Sequence, residues 1–372
     1  MGTWNGIELD GLVLHSGRLT LRPWQPSDAV AVEQIMADRR IGRYLPLPWP
    51  YTRADATDFV NEHALAGRRD GSRLDCALAE NSSGRLVGSA TLILPRGGRP
   101  GAEIGYWLGS EFWGSGYITE AVQTLTRFGF GNGLARIRII CEVPNLASAR
   151  VALRAGYRYE TVARSEATGR DGAVDAAVFA RLPDDSGEPI APAWVALAPL
   201  SDGVVSVRQL QPEDWPVVLA ESSNPESLGW GFGGDLMDEA EARRRAEHAG
   251  LQWLVGGQAN LLICDAETGA GAGTLTLRPV GPPGVAGIGY GILPEFRGRR
   301  FTTRALRLVA DWAFDQAGLV RLELGCKVDN RASARTAEAA GFVADARYRS
   351  RLRNPDGSYS DEIGYGLVRP PG

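Results

Sequence analysis

The chain repeats itself, and that repeat constrains the fold more than any other feature of its 372 residues. LRPWQPSD (Leu21–Asp28) matches VRQLQPED (Val207–Asp214), and AENSSGRLVGSATL (Ala79–Leu92) matches CDAETGAGAGTLTL (Cys264–Leu277). EIGYWLGSEFWGSGY (Glu103–Tyr117) matches GIGYGILPEFRGRRF (Gly287–Phe301), and NLASARVALRAGY (Asn145–Tyr157) matches NRASARTAEAAGF (Asn330–Phe342). The displacement stays between 184 and 186 positions through all four blocks. A period this long marks a duplicated domain, since solenoid repeats run roughly 20–50 residues. Hydrophobic content of 44% and charged content of 23% suit two soluble globular domains. PDDSGEPIAPAW (Pro183–Trp194), rich in proline and acidic residues, divides them. The expected plan is therefore a domain over 1–185, a linker over 186–194 and a second domain over 195–372.

Composition removes several function classes. A formal net charge of −4 gives no bulk attraction to nucleic acid or to an anionic membrane. No apolar run is long enough to span a bilayer, and MGTWNGIELDG lacks the basic start and apolar core of a signal peptide. A cytoplasmic protein is expected. Cys76, Cys141, Cys264 and Cys326 are far apart and form no CxxC, which points to buried, reduced thiols. His15, His63 and His248 are scattered without HExxH, so neither a zinc site nor a Ser-His pair is expected.

Each half alternates strands and helices. Extended segments open the halves at Arg18–Arg22 and Val204–Arg208, and helical spacing follows over Asp28–Ala37, Arg53–Ala66 and Asp238–Ala249. A hairpin turns at NSSGR or AETGA. A strand (Ala102–Leu108), a glycine-flanked loop and a helix with apolar Ala121, Leu125 and Phe128 come next. A strand (RIRIICEV or RLELGCKV), a short helix after Asn145 or Asn330 and a final strand pair complete the unit. This order predicts an α/β (α+β) fold around a largely antiparallel, mixed and twisted sheet flanked by helices.

The loop WGSGY raises a chemical question. A helix N-terminus leaves amides unpaired at the positive end of the macrodipole, and glycines let an anion approach them. Two glycines before a helix are tight-turn chemistry at least as often as a ligand site. GKS/T and GxGxxG are both absent, which removes nucleotide-triphosphate and dinucleotide readings.

The order EIGYWL, WGSGYITEA, a strand ending at Asn145, then SARVALRAGY closely resembles the GNAT N-acetyltransferase superfamily, in particular its ribosomal-protein (Rim-type) branch. The resemblance covers nearly all of both halves. It implies acetyl-CoA as cofactor, with the pyrophosphate on the amides of Trp113, Gly114, Ser115, Gly116, Tyr117, Ile118 and Thr119. Pantetheine would lie between splayed strands, where backbone groups near Leu108 bind it and polarise the thioester. By the same resemblance Asn145 contacts the cofactor; asparagine also fits a helix N-cap there.

Acyl transfer to an amine needs a proton acceptor, a stabilised oxyanion and a proton for the leaving thiolate. Glu103 occupies the strand position of the family's catalytic glutamate; a solvated strand glutamate is the plain alternative. Many GNAT enzymes carry a tyrosine seven residues after the position of Asn145, where this chain has Ala152 and Ala337. The Rim-type branch instead offers a serine, here Ser148, as hydrogen-bond donor or relay; a serine satisfying early-helix backbone is the alternative. In the second half Glu103 becomes Gly287 and Gly116 becomes Arg300. Arg297, Gly298, Arg299, Arg300 and Asn330 could still hold phosphates. The first domain is expected to catalyse, and the second to be partly degenerate. Tyr44, Trp49 and Tyr51 are candidates to line an amine pocket or to pack, and GWGFGGDLMDEAE (Gly229–Glu241) is a candidate lid.

The leading expectation is an acetyl-CoA-dependent N-acetyltransferase acting by direct attack in a ternary complex. Its acceptor would be a primary amine, either a peptide N-terminus or a small molecule. The alternatives are a non-catalytic CoA-binding sensor or scaffold, motivated by Gly287, Ala152 and Ala337, and an enzyme using another acyl-CoA. Oligomeric state is not encoded in any motif found.

Overall fold

The computed structural model describes residues 3–95, 101–170, 172–224, 229–230 and 236–369. Its contacts divide the chain into two units, Met1–Ala191 and Pro192–Gly372. Each unit is a mixed, largely antiparallel eight-stranded sheet flanked by helices, with the same strand order in both.

The first unit opens with a small hairpin of β1 (Thr3–Trp4) and β2 (Ile7–Glu8). Its sheet contains β3 (Leu14–His15), β4 (Leu19–Arg22), β5 (Arg73–Glu80), β6 (Leu86–Ile93), β7 (Ala102–Leu108) and β8 (Ile137–Glu142), completed by β9 (Arg158–Gly169) and β10 (Gly172–Arg181). The spatial order is β3-β4-β5-β6-β7-β8-β10-β9. The second unit repeats it with β11 (Leu200–Ser201), β12 (Val205–Gln209), β13 (Ala259–Asp265), β14 (Gly271–Pro279), β15 (Val285–Tyr290), β16 (Arg321–Lys327), β17 (Val343–Arg353) and β18 (Tyr359–Val368).

Helices α1 (Ala29–Met36), α2 (Arg53–Asp58) and α3 (Ala64–Arg69) cross between β4 and β5, α4 (Tyr117–Gly131) joins β7 to β8, and α5 (Leu146–Arg154) follows β8. Their counterparts are α6 (Trp215–Ser222), α7 (Glu239–Val255), α8 (Phe301–Asp315) and α9 (Arg331–Ala339). The helix expected over Arg53–Ala66 is interrupted by a π-turn at Phe59–His63 between α2 and α3. The helix expected to end at Ala249 continues to Val255, because Leu251, Trp253 and Leu254 bury their side chains.

Local pattern accounts for these elements. β8 alternates buried Ile137, Ile139 and Cys141 with half-buried neighbours, as a strand covered more deeply on one face does. α4 buries Ile118, Ala121, Val122 and Leu125, one stripe at helical spacing. All four cysteines are free and buried. The single lysine, Lys327, is buried with its Nζ donating to the Gly229 carbonyl at 2.7 Å.

The feature that positions a site is the one parallel pairing in each sheet. β7 and β8 pair at only two rungs, Ala102↔Ile137 and Glu103↔Arg138, although β7 stays paired with β6 as far as Leu108. β15 and β16 pair at three rungs ending at Gly287↔Glu323. Beyond those rungs the strands diverge and leave a wedge. The crossover helix a parallel pair requires, α4 or α8, starts at its open end.

Candidate active site

The wedge exposes backbone on one side of β7. The Ala102 N–H donates to Arg136 at the β8 end, 3.0 Å, whereas the Gly109 N–H donates to Val87 on the β6 side, 2.9 Å. Strand alternation then directs the backbone of Tyr106 and Leu108 into the wedge. The Leu108 carbonyl accepts from the Trp113 indole at 3.0 Å. Its N–H faces the opening.

The loop after β7 ends in two glycines held in the left-handed region, Gly114 at φ +79° and Gly116 at φ +83°. That backbone explains the glycines, since a β-carbon there is strained. Among the described residues, the amides of Gly114, Gly116, Ile118 and Thr119 find no protein acceptor. They gather at the N-terminus of α4, where the macrodipole favours an anion. Arg18, which the sequence reading missed, lies over this turn. Its guanidinium donates to the Ser115 carbonyl at 2.9 Å and to Glu120 at 2.7 Å, and rests 4.7 Å from the Tyr117 ring centroid. The Tyr117 hydroxyl donates to Glu80. Trp113 is half exposed, with the Arg40 guanidinium 5.1 Å from its ring.

Glu103 lies at the vertex of the wedge. Arg138 pairs with it at 3.2 Å and reaches Glu166 at 3.5 Å. Burial raises the Glu103 carboxyl above the ordinary glutamate range; Arg138 opposes this and Glu166 adds to it. Ser148 is in the first turn of α5, where the Asn145 side chain caps its amide at 3.2 Å. Asn145 is therefore an N-cap here. The Ser148 hydroxyl pairs with the Tyr106 hydroxyl at 2.7 Å, and burial pushes the Tyr106 phenol strongly upward. Tyr106 is a second residue that sequence reasoning missed; its signal was the tyrosine shared by EIGYWL and GIGYGI.

Pleating decides how these groups face. Tyr106 reaches α5, while Trp107 packs on Trp24, ring centroids 6.0 Å apart, in the core formed with α1–α3. Glu103 shares the Trp107 face and lines a cavity of about 790 Å³ beside α3 with Arg73, Arg136, Arg138 and Glu166. Glu103 and Ser148 thus address the wedge from opposite faces of the sheet.

The aromatic candidates are spread out. Tyr44 lies beside the end of β8, its hydroxyl donating to Pro144 at 3.2 Å. Tyr51 packs on the Trp24 core, and burial pushes its phenol up to about 12. Trp49 is partly exposed with Arg39 at 5.1 Å from its ring. Of the candidate lid, residues 231–235 lie outside the described residues.

In the second unit the turn keeps its shape without its second glycine. Gly298 has φ +73° and Arg300 takes φ +62°. Among the described residues, the amides of Gly298, Arg299, Arg300, Phe301, Thr302 and Thr303 find no protein acceptor. Arg299 pairs with Asp265 at 3.2 Å, and its guanidinium lies 4.6 Å from the Phe301 ring centroid. Asn330 caps Ser333 at 3.0 Å, and the Ser333 hydroxyl pairs with Tyr290 at 2.8 Å. A cavity of about 1690 Å³ runs from Arg297 and Gly298 past Ser333 to the wedge rung Gly287 and Glu323.

Comparison with known proteins places these features in context. The model of the Acetyltransferase (GNAT) domain matches this sequence twice, over residues 18–158 and 205–343. N-acetyltransferase p20 of Bacillus licheniformis is 29% identical over 176 residues, 45% of this chain and 95% of its own length. The ribosomal-protein-serine acetyltransferase of Escherichia coli is 38% identical over 84 residues, 22% of this chain and 47% of its own. Among solved structures, Mycobacterium smegmatis RimJ in complex with CoA-disulfide is 23% identical with a TM-score of 0.42, over 46% of this chain and 85% of that one.

Proposed function

The chain belongs to the GNAT acetyltransferase family in both halves and is an acyltransferase, and on that premise we propose that its first unit moves the acetyl group of acetyl-CoA to a primary amine by direct attack in a ternary complex. The observation that carries the reading is the coincidence of unpaired amides at the head of α4 with a wedge whose vertex holds Glu103. Gly114, Gly116, Ile118 and Thr119 would hold the diphosphate, with Arg18 adding charge beside them. The Leu108 amide, facing the wedge, is suited to a thioester oxygen. The bound donor supplies an activated acetyl thioester.

Glu103 takes a proton from the acceptor's ammonium, and the upward pull of burial improves it as a base. The Ser148–Tyr106 hydroxyl pair, on the other face, returns a proton to the departing sulfur. The acceptor thus approaches from the α3 side and the cofactor from the α4–α5 side. A peptide N-terminus or a small amine fits this chemistry, and family resemblance to ribosomal-protein acetyltransferases favours the peptide.

The test is thiol release from acetyl-CoA across a panel of peptide and small amines. At least one amine should lose turnover by about 10²–10⁴-fold in Glu103→Gln. Undiminished turnover of every amine would remove Glu103 from the mechanism and with it this reading of the first unit.

A further inference from the structure

From Gly287 onward, the face of β15 that continues past the strand's end to Gly291 carries no side chain. Its positions are Gly287, Gly289 and Gly291, where β7 carries Glu103, Gly105 and Trp107. Removing the bulk of Trp107 and its packing leaves the space occupied by a different group. A β-carbon on Gly291 would fall 1.7 Å from the Glu221 carboxylate. Glu221 projects from the last turn of α6, where the first unit has Ile35 in the matching place. It accepts a hydrogen bond from the Thr274 hydroxyl and lines the cavity that continues to Arg297, Gly298 and Ser333.

Three properties set this carboxylate apart from a structural one. It is half-buried, and no cation lies within ion-pair distance among the described residues, whereas Glu103 is paired with Arg138. Burial raises its carboxyl above the usual range, with Thr274 and Arg245 opposing. A desolvated, unpaired carboxylate is costly, and such groups concentrate where chemistry uses them. Third, it stands over Gly291, one residue before the Ile292 amide. Leu293 donates to Ala272 on the β14 side, so alternation turns the Ile292 amide into the wedge, as in Leu108.

We infer that the second unit is a second acyl-transfer site, in which Glu221, delivered from α6, does the work of the glutamate that Gly287 lacks. Glu221 takes one proton from the acceptor's ammonium. The freed nitrogen pair forms the amide bond as the carbon–sulfur bond of a CoA thioester breaks. The Ser333–Tyr290 hydroxyls pass the second amine proton to the sulfur, and Glu221 releases its proton to water. Arg245 and Arg278 line the same cavity without an ion-pair partner among the described residues. The acceptor class is therefore an amine that also bears an anionic group.

The experiment compares the full chain with Glu103→Gln, Glu221→Gln and the double variant. Each is given acetyl-CoA with plain amines, amino carboxylates and amino phosphates. Turnover of one anionic class should persist in Glu103→Gln and fall by about 10²-fold or more in Glu221→Gln. Gly291→Ala, which displaces the carboxylate without removing it, should produce the same loss. Calorimetry with CoA alone should count two sites per chain, unchanged in Glu221→Gln, with Arg300→Glu removing one. Unaltered turnover of every amine in Glu221→Gln overturns the inference, as does a single CoA site that Arg300→Glu leaves intact. Loss in Glu221→Gln with an inert Glu103→Gln change would keep this site and remove the first-unit reading. A wild-type chain inert on all amines would remove both.

Discussion

At the vertex of the first wedge, Glu103 is pulled two ways: burial raises its carboxyl and Arg138 restrains it. Removing the arginine removes the restraint, so Arg138→Gln should move the acid limb of the kcat/KM–pH profile to higher pH, and Glu103→Gln should abolish that limb. The same shift has a sign in stability. A carboxyl whose folded pKa is raised favours the fold in its protonated form, a contribution present below the unfolded value of about 4.3 and lost as pH rises through the folded one. Glu103→Gln should therefore melt higher than the parent at pH 7, with the difference shrinking toward pH 4, as thermal scans at the two pH values would reveal. A second residue-scale prediction concerns Arg300, a non-glycine at φ +62°. Arg300→Gly should stabilise by about 1 kcal/mol in urea unfolding while weakening CoA binding, because backbone strain is relieved and a charge is lost. That the two turns are equivalent was legible in the aligned letters WGSGY and RGRRF. That arginine adopts the glycine's backbone there was not, because only the helix that follows forces it.

At the scale of elements, the turn leading into β4 or β12 is tied to the helix after the glycine loop by an ion pair whose polarity reverses between units. Arg18 meets Glu120 at 2.7 Å in one, and Asp202 meets Arg304 at 2.6 Å in the other. Both arginines are substantially exposed, so solvent screens the pair. A double-mutant cycle of Arg18→Asp with Glu120→Arg should return a coupling of about 0.2–1 kcal/mol, and the doubly reversed protein should fold as the second unit does. The caps are stronger local devices: Asn145→Ala should cost about 1 kcal/mol, measured by denaturant unfolding, since it leaves the Ser148 amide unsatisfied. Asparagine three residues before serine, repeated as Asn330 and Ser333, made this cap readable in advance. The Tyr106–Ser148 pair was not readable, because its partners are 42 positions apart on a strand and a helix.

For the whole molecule, each unit closes its own sheet around its own core. Leu78 is fully buried in the first and Leu261 in the second. Leu78→Ala and Leu261→Ala should each lower the melting of one unit by the equivalent of about 2–5 kcal/mol and spare the other, as calorimetric scans with and without CoA would resolve. The duplication, the α+β class, the glycine turns and the family were determined by sequence alone, because they rest on local spacing and on blocks that recur in register. Where the wedge opens, which face of the sheet each catalytic candidate addresses, and the meeting of Glu221 with Gly291 were decided only by tertiary structure. Those relations join residues far apart in the chain, and they depend on strand pairing, pleat and the volume that a missing side chain leaves for a distant one.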